Sequence, residues 1–386
     1  MIFDSESVFE ENVITVLKQH GWKDGVLRYP TERDLLDNWK GILYRNNNDI
    51  DRLGKYPLTD GEMTQIIEQI ETLRTPLALN SFVNGRTVSI TRDNKEDVAH
   101  FGKEVSLYIY DRKEIAGGKS TYQIAQQPVY PAKNKMLNSR RGDLVLLING
   151  MPLIHIELKK SGIPVSQATN QIEKYAHEGV FTGLFRLVQI FVAMNPDDAV
   201  YFANPGVDKF NPSYYFHWAD YNNEPICGGQ NPGKDEWKLF IGGTSGTAGL
   251  LSIPMAHQLI GFYTIADSAD GCLKVLRSYQ YIAANAISDV VRKCDWEQRP
   301  ATPGRPGGYV WHTTGSGKTM TSFKSAQLIA DSHDADKVVF LMDRIELGTQ
   351  SLKEYRSFAD SETEVQGTET PVFAGQTQQH QCQTTP

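Results

Sequence analysis

The stretch that most narrows the fold is Trp311-His-Thr-Thr-Gly-Ser-Gly-Lys-Thr319. An apolar run over Tyr309–His312 leads into it and helix-compatible text leaves it, so the spacing predicts a strand, a glycine loop and a helix. Gly315 and Gly317, with Ser316 between them, let the backbone curl until successive N–H groups face one point. Lys318 carries a positive charge to the β/γ-phosphates, and the Thr319 hydroxyl suits Mg²⁺. ATP is the ligand such a loop predicts, and an α/β layer is the setting it needs. The general pattern has a glycine six residues before the lysine; here that place is His312.

A second pattern lies upstream. Asp143-Leu-Val-Leu-Leu-Ile-Asn-Gly-Met-Pro-Leu-Ile-His-Ile-Glu157-Leu-Lys159-Lys160 reads as two apolar strands meeting at Asn149-Gly150, a hairpin signal. Glu157 and Lys159 share a face, because strand side chains alternate. In a strand flanked by apolar neighbours, unpaired charges cost several kcal/mol unless a metal or charge partner offsets them. Register supplies a test. A plain two-residue turn at 149–150 pairs position 143 with 156 and puts Asp143 and Glu157 on opposite faces. An odd loop or a bulge pairs 143 with 157 and puts both on one face. Gln171 and Tyr175, at i and i+4 of the next helix, can reach the same pocket.

Around these motifs the text is mixed. Ser7-x-x-Glu10 has the form of a capping box opening a helix that runs to Gly21. Two helices follow over 33–75, then strands at Thr87–Thr91, Val105–Tyr110, Leu144–Ile148 and Leu153–Leu158. A helix over 165–177 and a strand at Leu187–Ala193 complete an α/β or α+β pattern. Gly-Gly-Thr-Ser-Gly-Thr-Ala-Gly over 242–249 reads as a flexible linker. The expected division is therefore 1–241, a Gly-rich linker 242–250, an ATP-binding lobe 251–364, and a tail 365–386 that is disordered or out of frame. The Gln- and Thr-rich text of that tail permits codons whose shifted frame reads more regularly.

Composition bounds the partners. No apolar run reaches the roughly 20 residues that span a bilayer, so no membrane is expected. Four cysteines spaced 45, 22 and 88 residues apart form neither a zinc pair nor a disulfide framework, which suits a reducing cytoplasm. A net charge of −7 argues against nucleic acid, yet charge is a sum over the surface. Residues 133–174 hold seven cations (Lys133, Lys135, Arg140, Arg141, Lys159, Lys160 and Lys174) against three carboxylates, a local +4 around the hairpin.

Asp143…Glu157-x-Lys159 is similar to the core of the PD-(D/E)xK nuclease fold, with Gly142 where the name has proline. The substitution of His312 for glycine is shared with helicase-like motors. Arg277-Ser-Tyr-Gln280 resembles the adenine-reading motif of superfamily 2 helicases. Asp343-Arg344-x-Glu346 after a strand at Lys337–Met342 is similar to a motif that touches nucleic-acid backbone. In this order, with Phe9-Glu10…Gly21-Trp22 before them, the motifs resemble the restriction subunit of type I restriction–modification enzymes over about residues 5–360. The resemblance implies a mixed sheet flanked by helices, followed by a partial RecA-like lobe. It implies Asp143 and Glu157 as Mg²⁺ ligands, Lys159 as catalytic, and Gln171 and Tyr175 as supporting cleavage or DNA contact. Glu10 joins the metal site or caps its helix. Gln280 and the loop residues 315–319 are implied to bind ATP. The implied partners are duplex DNA and the modification and specificity subunits.

A working motor also needs an Asp-Glu pair after a later strand. Asp235-Glu236 is the only adjacent Asp-Glu and lies upstream, so this chain is expected to bind ATP weakly and not to hydrolyse it. The family text would continue further, which reads as a fragment or a frame-shifted product. Two other readings remain open: another superfamily 2 motor–nuclease of the type III or repair kind, and an inactive remnant that only binds DNA or partners.

Overall fold

The first helix, α1 (Glu6–Gln19), is capped by Ser5, whose side-chain oxygen accepts a hydrogen bond from the Val8 amide at 3.3 Å. The expected box at Ser7–Glu10 therefore does not form: the cap lies two residues earlier and leaves Glu10 in the body of the helix. The protein is described here by a computed structural model over residues 2–115, 118–130, 140–293, 307–342, 344–359, 363–367 and 379–384. Contacts divide it into Met1–Thr264 with Cys272–Val275, and Ile265–Gly271 with Leu276–Pro386.

In the first unit β1 (Val26–Arg28) precedes α2 (Glu32–Asn46) and α3 (Asp60–Thr72). Both helices open with capping boxes, Thr31 with Asp34 and Thr59 with Glu62, so two unpaired amides are satisfied reciprocally at each start. A further helix, α4 (Pro76–Asn84), starts at a proline that loses no helical hydrogen bond there. A two-stranded hairpin follows, β2 (Thr87–Thr91) with β3 (Glu104–Tyr108). The chain then enters a sheet through β4 (Tyr122–Gln126), β5 (Leu144–Ile148) and β6 (Met151–Leu158). After α5 (Val165–Glu178) come β7 (Ile190–Met194) and β8 (Ala199–Ala203).

The sheet order is β1-β4-β5-β6-β7-β8. The β1–β4 and β6–β7 pairs are parallel, and the others are antiparallel. This is a mixed sheet with helices, as expected. The helix α5 lies on it through Ala168 and Ile172, which pack with Phe191, Ala193, Val200 and Phe202. All eight residues of β6 are buried, so any charge on that strand is withdrawn from water.

The hairpin register answers the test set by the sequence. Ile148 pairs with Met151 and Leu147 with Pro152 around a two-residue turn. Asn149 and Gly150 have φ of 52° and 85°, the left-handed pair that such a turn requires. The register then shifts, and Leu146 pairs with Ile154, Val145 with His155 and Leu144 with Ile156. One extra residue in β6 thus brings Asp143 and Glu157 to one face.

The glycine stretch over 242–249 is not a linker between the two units. It follows α6 (Glu236–Gly242) and folds into the first unit as a tight turn, with Gly243 bridging Ala248 and Thr244 N donating to Thr247 O at 2.8 Å. The Trp218 indole donates to Ala248 O at 2.8 Å, and that of Trp22 to Leu251 O at 2.6 Å. Glycine serves close backbone approach here: a Cβ on Gly249 would stand 2.2 Å from Ile241 O. The helix α7 (Met255–Gly261) follows, then β9 (Thr264–Asp267) and β10 (Cys272–Val275).

The second unit contains α8 (Ser278–Lys293), α9 (Lys318–Asp331), β11 (Val338–Leu341), α10 (Ile345–Phe358), β12 (Thr363–Gly367) and β13 (Gln379–Thr384). Phe323 of α9 stacks edge-on against Phe358 and near Tyr355 of α10, which anchors these two helices. The sheet order is β11-β13-β12, antiparallel throughout. Two expectations differ. Tyr309–His312 forms no strand: Tyr309 and Trp311 are largely exposed, and no described strand pairs with the segment. Gln379–Thr384, in the tail expected to be disordered, is the central strand. The parallel sheet of a RecA-like lobe is therefore not formed among the described residues. Asp343 lies outside the described residues.

Candidate active site

The bulged hairpin concentrates its charge at one end. Asp143, just before β5, accepts a hydrogen bond from the Leu158 amide at 2.7 Å through Oδ2. Glu157 is fully buried, with His155 Nε2 3.3 Å from Oε2 and Lys159 Nζ 3.5 Å from Oε1. Neither approach is aligned as a hydrogen bond, so neither Glu157 oxygen has such a partner among the described residues. Lys159 Nζ also donates to Leu158 O at 2.8 Å and lies 3.6 Å from Glu6 of α1.

Burial pushes the Asp143 carboxyl well above the usual range, and the nearby Glu157 charge adds to it. Glu157 is pushed up in the same direction, also chiefly by burial, with Lys159 opposing. Two buried carboxyls that resist ionisation, one with neither oxygen hydrogen-bonded among the described residues, form an oxygen-lined pocket whose ionised form a cation would stabilise. The donor set fits a hard, oxygen-preferring ion such as Mg²⁺. No group of three His, Cys, Asp or Glu side chains able to hold a metal occurs among the described residues, so other donors to such an ion would be water or substrate oxygens.

Glu10 arrives from α1. It is buried and held by Gln126 Nε2 at 2.5 Å and by Gln127 Nε2 at 3.3 Å. Burial raises its pKa against those two hydrogen bonds, and the Asp143 charge contributes to the rise. It stands near the pair without joining it in a ligand cluster. Tyr175 hydroxyl donates to Arg141 O at 3.0 Å and accepts from Gln171 Nε2 at 2.6 Å, so these two side chains of α5 form one unit as their i, i+4 spacing predicts. The Tyr175 ring stands edge-on to His155 at 6.3 Å, and burial followed by the Glu157 charge raises its pKa.

His155 is the site residue that sequence reading missed. It shares the strand face of Glu157 and Lys159, so alternation by two carried the signal. Burial lowers its pKa to about 4, leaving a neutral ring at pH 7, and its Nδ1 is 2.9 Å from the Tyr130 hydroxyl.

The basic stretch is less open than its count suggests. Arg140 forms a two-pronged pair with Glu178 at 2.9 Å, and Lys174 lies 4.0 Å from the same carboxylate. Lys159 is buried in the site, while Arg141 and Lys160 are exposed. Lys133 and Lys135 lie outside the described residues.

In the second unit Gly315 and Gly317 have φ of 79° and 76°, and Gly317 caps α9. Lys318 Nζ, on an exposed residue, donates to Thr313 O at 2.9 Å, and Ser316 Oγ to the same carbonyl at 2.7 Å. Gln280 Nε2 donates to Ser316 O at 3.3 Å and Gly317 O at 3.2 Å, while its Oε1 accepts from Arg277 N at 2.9 Å. Tyr279 hydroxyl donates to Ser316 O at 2.9 Å. Gln280 thus braces the back of the loop with both ends of its amide engaged.

Comparison with known proteins gives a consistent result. Residues 279–383 match the SWI2/SNF2 ATPase family. The endonuclease subunit of a type I restriction enzyme of Staphylococcus saprophyticus is 31% identical over 367 residues, covering 93% of this chain and 34% of its own length. One from Staphylococcus aureus is 32% identical over 361 residues with the same coverage, so the chain spans about a third of the length of these relatives. The endonuclease subunit of an Escherichia coli type I enzyme is 26% identical over 321 residues, 80% of this chain and 90% of its own length. Residues 4–210, more than half of the chain, match the family described as type I restriction enzyme R protein N terminus, and the chain belongs to that family.

Proposed function

We propose that the first unit is a Mg²⁺-dependent endonuclease of the PD-(D/E)xK kind that hydrolyses phosphodiesters of duplex DNA. The observation that carries this reading is the buried Asp143–Glu157 pair with the Glu157 oxygens lacking hydrogen bonds. Asp143 and Glu157 would hold Mg²⁺, which when bound supplies charge neutralisation at a scissile phosphate and a lowered pKa for water. Lys159, poised at Glu157 Oε1, holds its ammonium where an attacking water or phosphate oxygen can be oriented. Gln171 and Tyr175 fix the β5 approach through Arg141 O, and Glu10 keeps a third carboxyl near the pair.

The relatives' names as endonuclease subunits of type I restriction enzymes support the same chemistry. By that likeness the chain acts with modification and specificity subunits in the cytoplasm, with cleavage coupled to ATP-driven translocation by a RecA-like motor. ATP would meet residues 315–319, with Gln280 bracing the loop. Tyr309–His312, which pairs with no described strand, and the antiparallel sheet of the described residues support weak nucleotide binding without turnover by this chain alone. No helix among the described residues is long and apolar enough to cross a membrane.

The test is nicking of supercoiled plasmid by the purified chain with Mg²⁺, alone and mixed with the partner subunits of a related complex. Nicking that disappears with EDTA and with Asp143→Ala is the expected result. Nicking that survives Asp143→Ala would sink the assignment.

A further inference from the structure

We propose that His155 is a positioning residue for Glu157, its ring set by Tyr130 so that an Nε2–H rather than a lone pair faces the carboxylate. The inference rests on the reading of Asp143 and Glu157 as a metal-holding pair. Three observations carry it. His155 and Tyr130 are buried, and the Tyr130 hydroxyl lies 2.9 Å from His155 Nδ1. A phenol hydrogen withdrawn from water needs an acceptor, and among the described residues the Nδ1 lone pair is the one in reach. A neutral imidazole that accepts at Nδ1 carries its hydrogen on Nε2, and that nitrogen faces Glu157 Oε2 at 3.3 Å.

Two consequences follow from the tautomer. An Nε2 that bears hydrogen has no lone pair for a metal, so His155 is not a third ligand. It can only donate, and Glu157 Oε2 is an acceptor otherwise without a hydrogen bond. The contact is longer than an ordinary N–H···O bond and off line. Phe181 and Phe191 pack edge-on to the ring at 5.4 and 6.0 Å.

Gly142 belongs to the same device. A Cβ at this position would stand 2.5 Å from the Tyr130 hydroxyl oxygen and 3.0 Å from His155 Cε1. The tyrosine–histidine pair fills the space that the proline of the nuclease pattern would need, which gives a physical reason for glycine here.

The experiment uses the intact 386-residue chain. Long-range ¹H–¹⁵N spectra of histidine-labelled protein should show His155 with its hydrogen on Nε2, and Mn²⁺ affinity is read from the free-ion EPR signal. His155→Leu removes the donor and should weaken Mn²⁺ binding about tenfold, the scale of groups that orient metal ligands. His155→Gln, whose amide can accept from Tyr130 and donate to Glu157, should stay within about twofold of wild type on the same scale. If the leucine variant does not fold, Tyr130→Phe replaces it, with mixed tautomers and a several-fold loss expected. Hydrogen on Nδ1, or equal affinities for the leucine and glutamine variants, overturns this inference alone. Wild-type protein that binds no Mn²⁺ at all overturns the metal reading and the inference together.

Discussion

The Asp143 carboxylate accepts the Leu158 amide hydrogen at 2.7 Å, one residue beyond Glu157. That bond ties the entrance of β5 to the end of β6 and holds the two carboxyls on one side of the hairpin. It does so at an electrostatic cost, because burial has raised both carboxyls.

Removing that cost should be visible as stability. In metal-free buffer at pH 8, Asp143→Asn and Glu157→Gln should each unfold at higher urea than wild type, by about 1–3 kcal/mol, while losing Mn²⁺ binding. Chemical denaturation and EPR titration on the same samples check both halves. A variant that is less stable and still binds metal contradicts the pairing of the two carboxyls.

The pH dependence follows with a definite sign. Folded-state pKa values raised above the unfolded ones contribute stability that is present at low pH and lost as pH rises through the folded values. Without divalent ions the first unit should therefore weaken from pH 5 to pH 9, and the double variant Asp143→Asn/Glu157→Gln should flatten that trend. Mn²⁺ affinity should move the opposite way and rise with pH, since the ion displaces protons from the same groups. Denaturation midpoints across the pH series, with and without Mn²⁺, give the test.

The glycines of 242–249 divide into two kinds. Gly249→Ala would drive a Cβ against Ile241 O and the Gly243 amide, so a loss of about 1–3 kcal/mol is expected. Gly246→Ala meets nothing within 4 Å and should change stability by less than about 0.5 kcal/mol. Limited proteolysis should likewise spare this stretch. Early cleavage there, with both alanine variants neutral, would restore the linker reading.

In the phosphate loop, Gln280→Leu removes the donors that hold the Ser316 and Gly317 carbonyls. Binding of a fluorescent ATP analogue should weaken severalfold in this variant and further in Lys318→Ala. Binding unaffected by Gln280→Leu would return that residue to a role away from the loop.

The sheet-bearing character of the chain was legible because its causes are local. Asn149-Gly150 demands a left-handed turn wherever it falls between apolar runs, and Thr59 marks a helix start by its own side chain, whereas the starts at Thr31 and Pro76 were not read from the sequence. The pairing of Gln171 with Tyr175 followed from helical geometry alone. Glu10 was ambiguous because a carboxylate three residues after a serine suits a cap; the cap in the structure is instead Ser5, whose side chain accepts from the Val8 amide. His155 was passed over although strand alternation placed it beside Glu157, since a lone histidine in apolar text is usually a packed one.

What the sequence determined by itself is thus the inventory and its spacing: the carboxylates, the lysine, the turn, the glycine loop and the family resemblance they carry. Tertiary structure decided whether those residues meet. One extra residue in β6 sets the face of Glu157, close approach to Ile241 folds a flexible composition into a tight turn, and Tyr309–His312 pairs with no described strand. The reason is the same in each case. Conformational preference acts within a few residues, whereas register, close approach and strand formation depend on atoms that the chain brings in from far away.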